Sequence, residues 1–275
     1  MYNITVVIMG LIDKIVKEIK FSVKLANKPV RLYKYHSLKF APHIAAFNKI
    51  ESYFRDKNGV EIGGPSRIFQ KEGYIPVYPI ADHVDGCNFS NNTVWENRIK
   101  EGLNYDTSSK HIGYQYIIDG MDLSVMPDAT YDFILSSHSL EHFANPLKAL
   151  TEWLRVIKTG GAIVLALPDP RYTFDHKRPI TVFEHLLQDY KNDTQEDDLF
   201  HLEEVLALHD IKLDNWVKDY DDLKRRALNN MENRCIHHHV FNLELLKQIM
   251  AYFNVKVLQT ATSFPNNLIV IGVKQ

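Results

Sequence analysis

Residues 57–69 read KNGVEIGGPSRIF, and this stretch decides the fold. A short apolar run ends in Glu61, two glycines follow at Gly63 and Gly64, and Pro65 and Ser66 open what the pattern predicts to be a helix. A strand that turns so sharply into a helix N-terminus exposes backbone N–H groups that have no partner inside the helix. Glycine lacks a Cβ, so a ligand can approach that backbone closely, and the orphan donors favour its polar or negative groups. On its own, a glycine pair after a strand is an ordinary turn.

Residues 119–169 supply the second half of the pattern. Asp119, Gly120, Met121 and Asp122 precede MPDATYDFILSSHSLEHF, a helix carrying EWLRVIKTGG follows, and the strand AIVLALPDP ends the block. In this order, over about residues 56–170, the motifs resemble those of class I S-adenosylmethionine-dependent methyltransferases of the type 11 group. Two features depart from the usual pattern: the first loop lacks a third glycine, and Thr159 stands where proline is common. The resemblance implies an α/β, Rossmann-like fold, with a mostly parallel seven-stranded sheet closed by a C-terminal antiparallel hairpin. It divides the chain into a helical N-terminal extension, 1–55, and a methyltransferase domain, 56–275, with a helical substrate-binding insertion at 182–232. It also implies S-adenosyl-L-methionine as cofactor.

Composition bounds the alternatives. A chain of 275 residues, 45% of them hydrophobic, has room for one large α/β core and an insertion. A net charge of −2 provides no general attraction for polyanions, which favours a small-molecule or glycan acceptor over nucleic acid. Cys87 and Cys235 form neither a CxxC pair nor a disulfide framework. No run approaches the ~20 apolar residues of a membrane span, and the opening ITVVIMGLI lacks a cleavage pattern, so the expected location is cytoplasmic. Within residues 3–27, Ile8, Leu11, Ile12, Ile15, Val16 and Ile19 recur near helical spacing among lysines. The expected basic amphipathic helix packs on its own domain, with peripheral membrane contact as the alternative. Residues 41–55 are expected to form a second helix, in a cap over the cofactor cleft.

The resemblance assigns Glu61, Gly63, Gly64, Pro65 and Ser66 to the cofactor loop. It also implies a carboxylate near the end of the second strand, where two oxygens receive the ribose hydroxyls. Asp85 is the first choice, with Asp82 and Asn88 open. The turn Asp119–Asp122 falls where the family contacts adenine, with Asp119 the better reader. Ser136, Ser137 and His138 emerge at the carboxyl end of the strand YDFILSS, where ligands bind in open α/β sheets. Glu141-His142-Phe143 resembles the family's L-E-H signature, and His142 is read as structural. Trp95 and Tyr105 either shape the substrate cleft or pack in the core.

Methyl transfer is an in-line displacement, so holding nucleophile and methyl carbon in register supplies most of the rate. An alcohol acceptor also needs a base. The loop LPDPRYTFDHKRPIT, 167–181, offers His176 as that base, with Asp175 orienting it or acting in its place and His138 competing. Arg171, Tyr172, Lys177 and Arg178 are the candidate acceptor-binding residues, because guanidinium pairs with oxyanions at two points. The FDHKRP loop and long insertion resemble methyltransferases of bacterial surface-polysaccharide clusters, which implies a sugar-linked acceptor. His237, His238 and His239, with His201 and His209, show no fixed ligand spacing, and no metal is expected. The competing readings are a non-catalytic cofactor-binding subunit and a methyltransferase acting on RNA. A nicotinamide oxidoreductase ranks last, because G-x-G-x-x-G is missing after the first strand.

Overall fold

A computed structural model describes residues 43–93, 98–263 and 266–275. The expected basic helix at 3–27 and Trp95 lie outside the described residues. Eight strands form one sheet in the order β3-β4-β2-β1-β5-β6-β8-β7. They are β1 Asn58–Ile62, β2 His83–Asn88, β3 Gly102–Tyr105, β4 Gly113–Ile117, β5 Tyr131–Ser137, β6 Ile157–Pro168, β7 Val255–Ser263 and β8 Asn267–Lys274. Strands β4, β2, β1, β5 and β6 run parallel; β8 is antiparallel to both β6 and β7. This is the expected Rossmann-like architecture with its closing hairpin. One more strand, β3, pairs antiparallel with β4 at the edge.

Both faces of the sheet are covered, and the strand sequences show why. In β6, Ile163, Leu165 and Leu167 join one buried cluster while Ala162, Val164 and Ala166 join the other, the two-residue alternation of a strand. Helix α1, Pro146–Val156, lies on the first face. Asn145 caps it by accepting from Lys148 N at 3.0 Å, and Pro146 suits a first-turn position that needs no N–H. Leu147, Leu150, Trp153 and Leu154 recur at helical spacing and are buried. Helix α6, Leu243–Tyr252, capped by Asn242, contributes to the same buried cluster.

Three local expectations change. Residues 43–55 form two short 3-10 turns, Phe47–Lys49 and Glu51–Tyr53, not a helix. Ala46 has φ +57, and Ile44, Ile50 and Phe54 turn inward to the second face, where the Phe54 ring meets Phe133 edge-on at 5.3 Å. This stretch is core, not cap. No α-helix follows the glycine pair: Ser66 makes no side-chain cap, and only 3-10 turns occur at Arg67–Phe69 and Tyr78–Ile80. Gly73, Pro76 and Pro79 explain the interruption, since glycine and proline both disfavour a continuous helix. Finally, α1 ends at Val156 and passes directly into β6, whose register against β5 shifts across Lys158–Gly161, with Gly160 at φ +78.

The insertion contains α2 Phe183–Asn192, α3 Leu202–Leu208, α4 Tyr220–Leu228 and the short α5 Asn230–Asn233. It has a small core of its own, Val205, Val217, Leu223, Ala227 and Ile236. Among the described residues, no helix is long and apolar enough to cross a membrane.

Candidate active site

The chain leaves β1 on the β2 side of the sheet and returns on the other side at β5, so the carboxyl ends of β1, β2 and β5 surround a topological switch point. A cavity opens there. Its walls include Ile62 and Gly63 after β1, Asn88 at the end of β2, Gly120, and Ser139 and His142 after β5. The glycine turn and the acidic turn, far apart in sequence, therefore meet at one hollow.

Gly63 has φ +80, and a Cβ there would lie 2.1 Å from Ser139 Oγ. Only glycine fits this position without displacing the wall. Asn88 Nδ2 donates to Gly64 O at 3.1 Å, which fixes the amide, while its buried Oδ1 has no hydrogen-bond partner. A buried acceptor without a donor is costly, and a ligand hydroxyl would satisfy it. Gly120 O accepts from Trp153 Nε1 at 2.8 Å, so α1 anchors the acidic turn; the Phe143 ring packs against Gly120. These residues fit an adenosyl ligand: an acceptor for ribose, a close-approach backbone and an aromatic wall beside the adenine turn.

Of the three candidates for the ribose contact, Asn88 lines the cavity and Asp85 and Asp82 do not. Asp85 sits in the middle of β2, where its carboxylate accepts from Tyr114 N at 2.7 Å and Tyr131 OH at 2.6 Å, away from the cavity. Asp82, before β2, neighbours His111 and His83. Glu61 lies fully buried under the glycine turn, accepting from Tyr78 OH at 2.5 Å and Tyr105 OH at 2.6 Å. Burial pushes its carboxyl up, partly offset by hydrogen bonds from Ser66, Tyr105 and Tyr78. Tyr105 is thereby a core residue. Pro65 follows a cis bond, and Ser66 N donates to Tyr78 OH at 2.7 Å.

Of Asp119–Asp122, only Gly120 lines the cavity. Asp119 is engaged on both oxygens, by Met121 N at 2.8 Å and by Arg234 Nη2 at 2.6 Å. Met121 is buried in the core, and Asp122 caps Ser124 N at the surface. Ser136 and Ser137 pair with β6. His138, at φ +53, has its Nε2 2.7 Å from Asn267 Oδ1.

The loop residues divide. His176 is not in the cavity wall; its Nε2 is 3.0 Å from Asp210 Oδ2, and Lys177 reaches the same carboxylate at 3.5 Å. Arg171 forks onto Asp169 with its side chain 65% exposed, its guanidinium over the exposed Tyr172 ring. Arg178 cannot serve an acceptor. It is buried and spends its donors on Asp175, Glu204 and the carbonyls of His237 and His238. Asp175 is buried between Arg178 and His237, with His237 Nδ1 2.6 Å away. Burial raises this carboxyl, but the His237 and Arg178 charges outweigh it and hold it down to about 2.

The histidine at the cavity is His142, which the sequence reading treated as structural. Its Nδ1 is 3.1 Å from Ile236 O and its ring meets His237 edge-on at 4.6 Å. Burial, reinforced by the charge of His237, holds its imidazole well below its ordinary value, so it is neutral. Arg234, missed altogether, also borders the cavity, stacks over Phe89 at 5.3 Å and bridges Asp119 to Glu196. Its only sequence signal was a basic residue at the end of the insertion, which spacing cannot connect to Asp119.

Residues 81–165 match the family of type 11 methyltransferase domains. No curated protein matches the chain in sequence. Solved structures it resembles include an S-adenosylmethionine dependent methyltransferase from Mesorhizobium loti, 14% identical, with 86% of this chain and 99% of that one covered at a TM-score of 0.47. A SAM-dependent methyltransferase from Methanosarcina mazei is 12% identical, with 84% and 98% covered at 0.46. One from Aquifex aeolicus is 11% identical, with 84% and 90% covered at 0.43.

Proposed function

We propose that this chain, which carries an S-adenosylmethionine-dependent methyltransferase domain, methylates a hydroxyl oxygen of a sugar, nucleotide sugar or surface-glycan component. The observation that carries the reading is the cavity at the switch point, where the unpartnered Asn88 Oδ1 and the Cβ-free Gly63 meet a histidine. The cofactor supplies a methyl group on a sulfonium, an electrophile with a good leaving group.

Asn88 would accept from a ribose hydroxyl, Gly63 would let the ligand approach its backbone closely, and Gly120 with Phe143 would flank the adenine. His142, bordering the same cavity, is placed to take the proton of an acceptor hydroxyl. A neutral imidazole is the form able to do so. Asp175 holds His237 by hydrogen bond, and His237 in turn abuts His142, so this pair positions the base. His176 and His138 are assigned no proton transfer. Arg171 and Tyr172, exposed after β6, provide a cationic and aromatic edge suited to an anionic sugar derivative.

Calorimetric titration of S-adenosylhomocysteine, followed by labelled methyl donor with a panel of nucleotide sugars and glycans, tests the proposal. Binding together with a methyl ether on one panel member supports it. Absent binding, or methylation confined to nitrogen or carbon acceptors, overturns it.

A further inference from the structure

Within the insertion, His185 and Asp189 stand four residues apart on α2, so the helix presents both on one face. His201, just before α3, places its Nε2 2.9 Å from His185 Nε2. His239, from the histidine tract, places its Nε2 3.6 Å from Asp189 Oδ2, and His185 Nε2 is 3.4 Å from that same oxygen. Three imidazole nitrogens thus converge, their ligand atoms all within 4.8 Å of one another, and Asp189 Oδ2 stands against two of them, those of His185 and His239.

Hydrogen bonding accounts for only part of this arrangement: His239 Nε2 stands 3.2 Å from Ala144 O, its one hydrogen-bond partner among the described residues. Asp189 Oδ2 is buried and has no hydrogen-bond partner. Two histidine nitrogens facing each other share one proton at best, so one lone pair or one N–H is always poorly used. Orphaned buried acceptors beside converging imidazoles are what a cation would satisfy.

We infer that His185, Asp189, His201 and His239 form a zinc site that ties α2, the α2–α3 connection and the histidine tract together. Zinc held at ~2.0–2.1 Å by four tetrahedral ligands sets neighbouring ligand atoms about 3.3 Å apart, and three of the six separations, 2.9, 3.4 and 3.6 Å, bracket that value. Three imidazoles and one carboxylate suit zinc, and four protein ligands make a closed, structural site. Outer contacts support the set: Thr194 Oγ1 donates to Asp189 Oδ1 at 3.2 Å, and the Phe200 ring packs against both His185 and His201. The second histidine–carboxylate group, Glu141, His142 and His237, is a weaker candidate. Its carboxylate stands 3.9 and 4.0 Å from the two imidazoles, and His237 Nδ1 is engaged by Asp175.

The test uses the full chain, stripped with a chelator, and zinc ion itself. One equivalent of Zn2+ binds in competition with a chromophoric chelator, raises the thermal midpoint, and is replaced by Co2+ with the intense visible bands of tetrahedral coordination. His201→Ala and Asp189→Asn each weaken zinc binding by at least about tenfold, the lower end of what even outer-shell changes cost. His237→Ala leaves it unchanged. Should a variant fail to fold, the Co2+ spectrum of the unaltered chain decides. Weak, octahedral-type Co2+ bands, an unaltered chain that takes up no zinc, or loss of zinc in His237→Ala with retention in His201→Ala would overturn the site.

Discussion

Arg234 Nη2 lies 2.6 Å from Asp119 Oδ2 while its Nη1 lies 2.7 Å from Glu196 Oε1, so one guanidinium joins the acidic turn beside the cavity to the insertion. Glu196 is 2% exposed and Arg234 10% at the side chain, which leaves either charge expensive to bury alone. Arg234→Ala is expected to cost about 3 kcal/mol of stability, the lower end for a broken buried pair. Lysine at that position keeps the charge but not the fork, and falls between. Urea unfolding checks both; an alanine variant as stable as the parent refutes the bridge's role.

Asn88 and Asp85 separate binding from folding. Asn88→Ala removes the unpartnered acceptor and should weaken S-adenosylhomocysteine binding about tenfold, one good hydrogen bond's worth. Asp85→Asn disturbs the Tyr114 and Tyr131 contacts and should lower stability by about 1–3 kcal/mol while leaving affinity near the parent's. Paired calorimetry and unfolding curves distinguish them, and the reverse pattern would restore Asp85 to the ribose.

Two tyrosine hydroxyls converge on Glu61. Glu61→Ala strands both in the core and is expected to cost about 3 kcal/mol or more, whereas Tyr105→Phe removes one hydroxyl and costs about 1–2 kcal/mol. Equal losses in the two variants would contradict this ordering of the network.

Glu141 gives a pH signature. Burial raises its carboxyl from 4.5 to about 7, against a lowering influence of His237, and both of its oxygens lack hydrogen-bond partners, as befits an acid buried protonated. The folded state then holds a proton that the unfolded chain releases, so this contribution is full below pH 4.5 and is lost as pH rises through about 7. Glu141→Gln should flatten that decline, by on the order of 3 kcal/mol. Asp175 acts oppositely. Its folded value of about 2 lies below the ordinary 3.8, so its contribution is present above 3.8 and lost toward pH 2. Urea midpoints across pH 3–8 show whether the slope changes in the glutamine variant.

For catalysis, His142→Ala should lower kcat by at least about a hundredfold, the usual floor for a general base, while His176→Ala stays near the parent. Turnover on the acceptor found by the panel decides which histidine takes the proton.

What the sequence revealed follows from where information is local. Strand YDFILSS carries the continuous apolar run of a strand buried on both faces and matches β5, Tyr131–Ser137. The glycine and acidic turns were legible as ligand-facing because their spacing is contiguous. The strands β3 and β4 carry little signal of their own, because GLNY and GYQYI lie among asparagine, serine and glycine residues that mask their pattern. Arg178 looked like a substrate residue because its burial depends on the His237 and His238 carbonyls, some 60 positions away. That Asn88 and not Asp85 borders the cavity depends on where β2 ends, which its pairing with β1 and β4 sets.

Strand β8 lies between β6 and β7 and supplies β6 with its antiparallel neighbour from residues 267–274. During synthesis, β6 therefore emerges about a hundred residues before its partner, presenting the apolar run Ile163–Leu167 as an open edge. Nascent chains paused in this interval are candidates for chaperone capture, and loss of β8 exposes an aggregation template.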